Sequence, residues 1–187
     1  MANRYSYYQL RVACQQHMMA SIYAEVDAPE EFNAGYVEAV TQRHVLLWSV
    51  TPWGQPDGWV LRRTEEVLQV FMGDDFEVRL QMLLEMGGSM PTPLLNPPPG
   101  PEEDLLRRVL QWAEEQGEII SIMTAEDTYT GSITQLDDLR MSMNLLDFFG
   151  AEDGQKQFPL REIQIVTLCT QEEHMYKQLK EERLKLL

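Results

Sequence analysis

Several residues in this 187-residue chain have the types and spacing to do chemistry. Cys14 and His17 stand three apart in a stretch with helical spacing, where a thiolate and an imidazole could act as nucleophile and base. Cysteine is also among the most buried residue types, so the pair reads first as a core thiol beside a partly buried ring. Cys169 and His174, five apart across a strand-to-helix junction, read the same way, and His44 reads as an exposed turn residue. Asp137-Asp138, with Asp147 and Glu152-Asp153, could gather a divalent cation if their turns converged, since hard cations want several oxygens at once. Calcium-loop spacing is absent, so these acids read as a solvated turn, and neither a metal nor a cofactor is expected.

Trp48, Trp53 and Trp59, set around Pro52, Gly54, Pro56 and Gly58, are the most unusual local feature. Aromatics interleaved with turn residues can stack bases or form a groove for a proline-rich strand. A nucleic-acid platform needs cations, and only Arg43, Arg62 and Arg63 are within reach. Trp48, Trp53, Trp59, Arg62 and Arg63 are therefore the expected interaction surface, read as a protein contact in preference to a nucleic-acid one. No catalytic triad, phosphate loop or metal-ligand spacing is present, and the expectation is that the chain is not an enzyme.

The elements that must hold these residues show a period. Glycines at 35, 54 and 58 recur at 131, 150 and 154, a shift of 96 that also pairs Val37 with Ile133, Leu47 with Met143, Trp53 with Phe149 and Val67 with Ile163. Upstream, a shift of 100 matches Leu10, Ala13 and Ser21-Ile22 to Leu110, Ala113 and Ser121-Ile122, leaving a four-residue insertion around Ala28-Pro29-Glu30-Glu31. The chain thus reads as an internal duplication. Six of the ten prolines fall between Pro91 and Pro101, a segment barred from helix interiors and central strands. The domain reading is a first unit over 1–88, a proline-rich linker over 89–101 and a second unit over 102–187. Each unit opens on a helix; in the second, alternation at Ile120-Ile122, Ile133, Met141-Met143-Leu145, Phe158-Leu160 and Ile163-Ile165 predicts about five short strands. Closing helices are expected over Asp74–Glu85 and Gln171–Leu187.

Ile120-Ser121-Ile122, Gly131-Ser132-Ile133, and Leu136-Asp137-Asp138 leading into Met141-Ser142-Met143-Asn144-Leu145-Leu146-Asp147 resemble the Sm-like (LSm) family. The resemblance covers roughly 102–170 and, through the repeat, 5–75. It implies a mainly β fold with helices: two tandem Sm-like small bent barrels, each an N-terminal helix plus about five antiparallel strands, with a helix after each. In RNA-binding members an Asp seven residues after the strand-two glycine is followed by a base-contacting Asn. Here the Asp is Asp138 but the Asn position is Met141, and the first unit holds Gln42 and Val45. The family's Arg-Gly motif is also missing from Phe158-Pro159-Leu160-Arg161-Glu162-Ile163.

Charge points the same way. Residues 1–90 carry 6 Lys+Arg against 12 Asp+Glu, and residues 101–187 carry 9 against 18, so both halves repel phosphate. The chain is expected to be a protein-interaction or adaptor protein meeting a protein partner or further copies of itself. An RNA-binding regulator using a non-standard face is the alternative, and neither DNA nor membrane is expected. Two cysteines are too few for a disulfide framework and no secretory signal follows Met1, so a cytoplasmic location is expected.

Overall fold

The computed structural model describes residues 4–24 and 31–185. Of the insertion around Ala28-Pro29-Glu30-Glu31, only Glu31 lies among the described residues. The chain divides into two compact units, Met1–Leu106 and Arg107–Leu187, so the proline-rich segment belongs with the first.

In the first unit, helix α1 (Arg4–Gln16) precedes strands β1 (Met19–Tyr23), β2 (Phe32–Val40), β3 (His44–Val50) and β4 (Pro56–Arg63). A single 3-10 turn (Thr64–Glu66) then leads to β5 (Gln69–Met72) and helix α2 (Asp75–Met86). Beyond it, α3 (Leu105–Gln116) opens the same succession: β6 (Ile119–Met123), β7 (Thr128–Leu136), β8 (Arg140–Leu146), β9 (Glu152–Pro159), a 3-10 turn (Leu160–Glu162), β10 (Ile165–Leu168) and α4 (Gln171–Leu184). The strands run antiparallel in the order β5-β1-β2-β3-β4 in the first unit and β10-β6-β7-β8-β9 in the second.

These orders correct the expected fold class. Two tandem small barrels would need β4 to meet β5, and β9 to meet β10, within each unit; instead these strands stand at opposite ends of each unit's strand order, and the strands form open antiparallel sheet. The molecule is mainly β with helices, but not a small-barrel tandem. The reason lies in what covers the faces of the sheet. In the first unit Leu10 and Ala13 of α1 pack with Ala20, Ile22, Val37, Val45 and Leu47, whereas Leu80 and Leu84 of α2 pack with Met19, Ala34, Trp48 and Val50. Neighbouring residues of a strand point to opposite faces, so a helix buries each face, and β3 reads as a nearly unbroken buried run. With both faces covered, no closure is required to bury them. Strand alternation reports a buried face and carries no information on whether the edges meet.

Local chemistry fixes the register. Gly35 faces Ser49 and Gly131 faces Leu145, and a Cβ at either glycine would sit 1.9 Å from Trp48 O or 2.0 Å from Asn144 O. Only glycine lets the backbones approach this closely. Asp74 with Glu77, and Thr170 with Glu173, form capping boxes that start α2 and α4. Both glutamates are buried, and each reaches back to β1 or β6. Ser21 donates to Glu77; Ser121 and Thr167 donate to Glu173, both at 2.7 Å. Among the described residues no helix is long and apolar enough to cross a membrane.

Candidate functional site

Two surfaces of the first unit have the geometry to recognise another chain. The first is the outer side of β5, which ladders to β1 within the unit and stands at the sheet edge. Polar side chains of α1 reach this edge. Buried Ser6 donates from Oγ to Leu68 O at 3.0 Å, just before the strand, and half-buried Gln9 donates from Nε2 to Val70 O at 2.9 Å, so the Val70 carbonyl is capped by a group that an incoming amide could replace. Beside them runs a groove of about 460 Å³ lined by Tyr5, Gln9, Leu68 to Met72 and Asp74. Leu68 and Phe71 are each 41% exposed, and Tyr5 is 67% exposed. Behind the edge, Phe71 meets Tyr23 edge-on at 5.4 Å, Tyr23 stacks on Phe32 at 4.9 Å, and Phe32 meets Phe76 at 5.2 Å. The matched positions in the second unit hold Thr167, Met123, Thr128 and Glu172, so this aromatic row belongs to the first unit alone.

The second surface is built on a β-bulge. The β2–β3 register slips between Val37 and Ala39, which leaves Glu38 as the extra residue. Its carboxylate takes two donors at once: Trp59 Nε1 at 2.7 Å on one oxygen and the Leu95 backbone N–H at 2.9 Å on the other. Leu94 and Leu95 are buried, so part of the proline-rich segment is docked. It is not a free tether.

The expected interaction residues are scattered by this arrangement. Trp48 is buried in the α2-side core, Trp59 is half-buried and engaged with Glu38, and Trp53 alone stands out at the β3–β4 turn, 76% exposed. Arg62 is buried and donates to Asn33 Oδ1 at 3.3 Å, while Arg63 lies 3.8 Å from Glu66. Glu38 escaped the sequence reading, because Val37-Glu38-Ala39 alternates as any half-buried strand does and an isolated glutamate there looks like any solvated one.

The other candidates have structural roles. Cys14 donates from Sγ to Glu38 O at 3.5 Å, and burial, with the Glu38 charge second, pushes its thiol above the ordinary range. His17 is exposed and left-handed at φ 50°, ending α1 as Gly117 ends α3 at φ 65°; the two side chains form no nucleophile–base pair. Cys169 is pushed up to about 11, chiefly by burial, and His174 Nδ1 donates to Thr170 O at 2.7 Å. His44, expected in an exposed turn, begins β3 half-buried, and burial lowers its pKa to about 4. The acids act as turn acceptors. Asp137 accepts the amides of Leu139 and Arg140, both at 2.8 Å, and Asp147 those of Phe149 and Ala151 at 2.9 and 2.8 Å. Among the described residues no three His, Cys, Asp or Glu side chains converge as a metal site would require.

Comparison with protein-family models, curated proteins and solved structures finds no match to this chain. The Sm-like resemblance therefore rests on its sequence motifs alone.

Proposed function

We propose that this chain is a non-enzymatic protein-interaction or adaptor protein whose docking element is the outer edge of β5, taking an extended segment of a protein partner as an added strand. The observation that carries the reading is the edge position of β5, with a replaceable side-chain cap on Val70 O and exposed Tyr5, Leu68 and Phe71 alongside. Main-chain pairing at such an edge supplies affinity, and the flanking apolar side chains supply selection for alternate residues of the incoming strand. Soluble proteins usually protect sheet edges, commonly with charge or proline. The edge at β9, Glu152 to Pro159, carries both; β5, Gln-Val-Phe-Met, carries neither.

The alternative drawn from the Sm-like resemblance, an RNA regulator, is weakened because Arg62 is buried and Arg63 lies beside Glu66. Selection of peptides from a random library against the full chain tests the main reading. Recovered peptides should alternate apolar residues and lose at least tenfold in affinity to Phe71→Lys, which places a charge on the edge. Peptides indifferent to Phe71→Lys would defeat the proposal. Micromolar binding of U-rich or A-rich oligonucleotides at physiological salt, weakened by Arg63→Ala, would favour the RNA regulator.

A further inference from the structure

We propose that Glu38 and Trp59 form a recognition site for a bent, proline-flanked leucine segment, which the chain fills with its own Leu94-Leu95 and which a partner's segment of the same chemistry takes by displacement. The site is separate from the β5 edge and stands whether or not that edge docks a strand.

Three observations carry it. The bulge turns one carboxylate outward with its two oxygens committed to different donors, Trp59 Nε1 and the Leu95 amide. A carboxylate can offer a separate oxygen to each donor; a glutamine in its place would turn its NH2 group toward one of them. The indole thus holds Glu38 in place to receive a main-chain N–H, which the bend at residues 94–97 presents from Leu95. Leu94 and Leu95 are only 6% and 4% exposed, so the ligand is anchored by two apolar side chains as well as by one polar contact. Pro91, Pro93 and Pro97-Pro98-Pro99 flank them, and a chain stiffened by proline loses little freedom on docking. The second unit also has a bulge, but Thr134 and Gln155 stand where the first unit has Glu38 and Trp59. Thr134 donates to Ser142 O and Gln155 to Asn144 Oδ1, so that bulge offers no carboxylate to a ligand. The recognition chemistry is therefore specific to the first unit and does not follow from the bulge alone.

The tether makes the site self-occupied. A short linker presents its own segment at roughly millimolar effective concentration, so a free peptide of about 100 µM intrinsic affinity would bind the resting chain roughly tenfold more weakly than the opened one. The probe is a synthetic peptide of the chain's own residues 89–101, titrated into full-length protein while the Trp59 indole N–H is followed by NMR and identified with Trp59→Phe. The double variant Leu94→Asp/Leu95→Asp should bind the peptide at least tenfold more tightly than the parent, and adding Glu38→Gln should remove that gain. An opened chain that keeps its circular dichroism yet shows no indole shift up to millimolar peptide would overturn the proposal, as would binding that is indifferent to Glu38→Gln. Should the double variant fail to fold, Glu38→Gln alone decides. It should speed proteolytic cleavage within 89–99 severalfold in an otherwise folded chain, and an unchanged rate would count against the site.

Discussion

The two units use matched backbone positions for different side-chain chemistry. Where the first unit pairs Asn33 with buried Arg62, the second sets Tyr129 against Phe158, ring centroids 4.9 Å apart, with Lys156 Nζ 3.9 Å from the Tyr129 ring centre and donating to its hydroxyl at 2.6 Å. Thr41 and Thr51 accept turn amides in the first unit; Asp137 and Asp147 do so in the second. Glu38 with Trp59 is answered by Thr134 with Gln155. What stays constant is what the backbone demands: a glycine where strands cross closely, an oxygen acceptor at each turn, and a buried glutamate at the third residue of the closing helix. What changes is what a partner would touch. The first unit keeps the aromatic row and the peptide-binding carboxylate, whereas the second spends its polar groups on acidic turns.

The largest effects should fall on the shared demands and strike both units alike. Gly35→Ala and Gly131→Ala each drive a Cβ into a backbone carbonyl that cannot swing aside. Each should cost more than about 3 kcal/mol, the upper end for overpacking, in urea unfolding. A marginal loss in one unit with collapse in the other would show that the matched glycines are not equivalent.

His44 comes next, and it separates the units because its counterpart is the exposed Arg140. Burial lowers the His44 pKa from 6.5 to about 4; the nearby Asp104 and Glu65 raise it, and Arg63 and Arg43 lower it. A histidine with a depressed folded pKa is held neutral by the fold. Between these two values the unfolded chain binds the extra proton, so stability is full above pH 6.5 and falls as the pH drops toward 4. Integrated over that window the loss is roughly 3 kcal/mol at the conversion of 1.36 kcal/mol per unit. His44→Gln should flatten the pH dependence of unfolding across the window; an undiminished slope would assign it to other groups.

Much of this was legible in the sequence. The glycine spacing and the closing helices rest on local conformational rules, and the residues that obey them sit close to where those rules place them, α2 over Asp75–Met86 and α4 over Gln171–Leu184. The proline-rich segment was legible as neither helix nor strand, but its docking through Leu94 and Leu95 was not. Whether the strands close on themselves was not legible, because the apolar positions at Val37, Leu47 and Ile133 report burial of a face and not whether the edge strands meet. Nor was the recognition chemistry. Glu38 and Leu95 are 57 positions apart, and a contact at that separation exists only once β2 has bulged and the segment has docked. The tryptophans drew attention by type, yet only Trp59 proves to be tied to a candidate site, and that through a glutamate no motif marks.

A smaller difference should appear at the buried glutamates. Glu173 accepts from Ser121, Thr167 and both the amide and hydroxyl of Thr170, whereas Glu77 accepts from Ser21 and the Asp74 amide. Removing one donor from a buried carboxylate costs more when few remain. Ser21→Ala should therefore destabilise by about 2 kcal/mol and Ser121→Ala by about 1, read by thermal unfolding. The reverse order would mean that the Ser121 contact with Thr130, 2.9 Å away, dominates its role.

The smallest effect lies in the turns, where the first unit uses buried Thr41, which accepts the His44 amide and donates to His44 O at 3.2 Å, and the second uses exposed Asp137, which only accepts. The amides of Leu139 and then Arg140 hold the Asp137 carboxyl below its ordinary value of 3.8. A carboxylate with a depressed folded pKa stabilises the fold above its unfolded pKa, and that contribution is lost as the pH falls through the folded value. The matched Thr41 takes the His44 amide at 3.1 Å and carries no charge to lose. Asp137→Thr should therefore leave stability near neutrality almost unchanged and remove part of the loss seen below about pH 4, because a hydroxyl accepts the same amides at every pH. Thr41→Asp is not the mirror exchange: it would set a buried carboxylate against His44 O, where no donor remains, and should destabilise at neutral pH. Acid titration followed by tryptophan fluorescence reads Asp137→Thr, and an acid limb that it leaves unmoved would mean that the Asp137 carboxylate does not stabilise its turn.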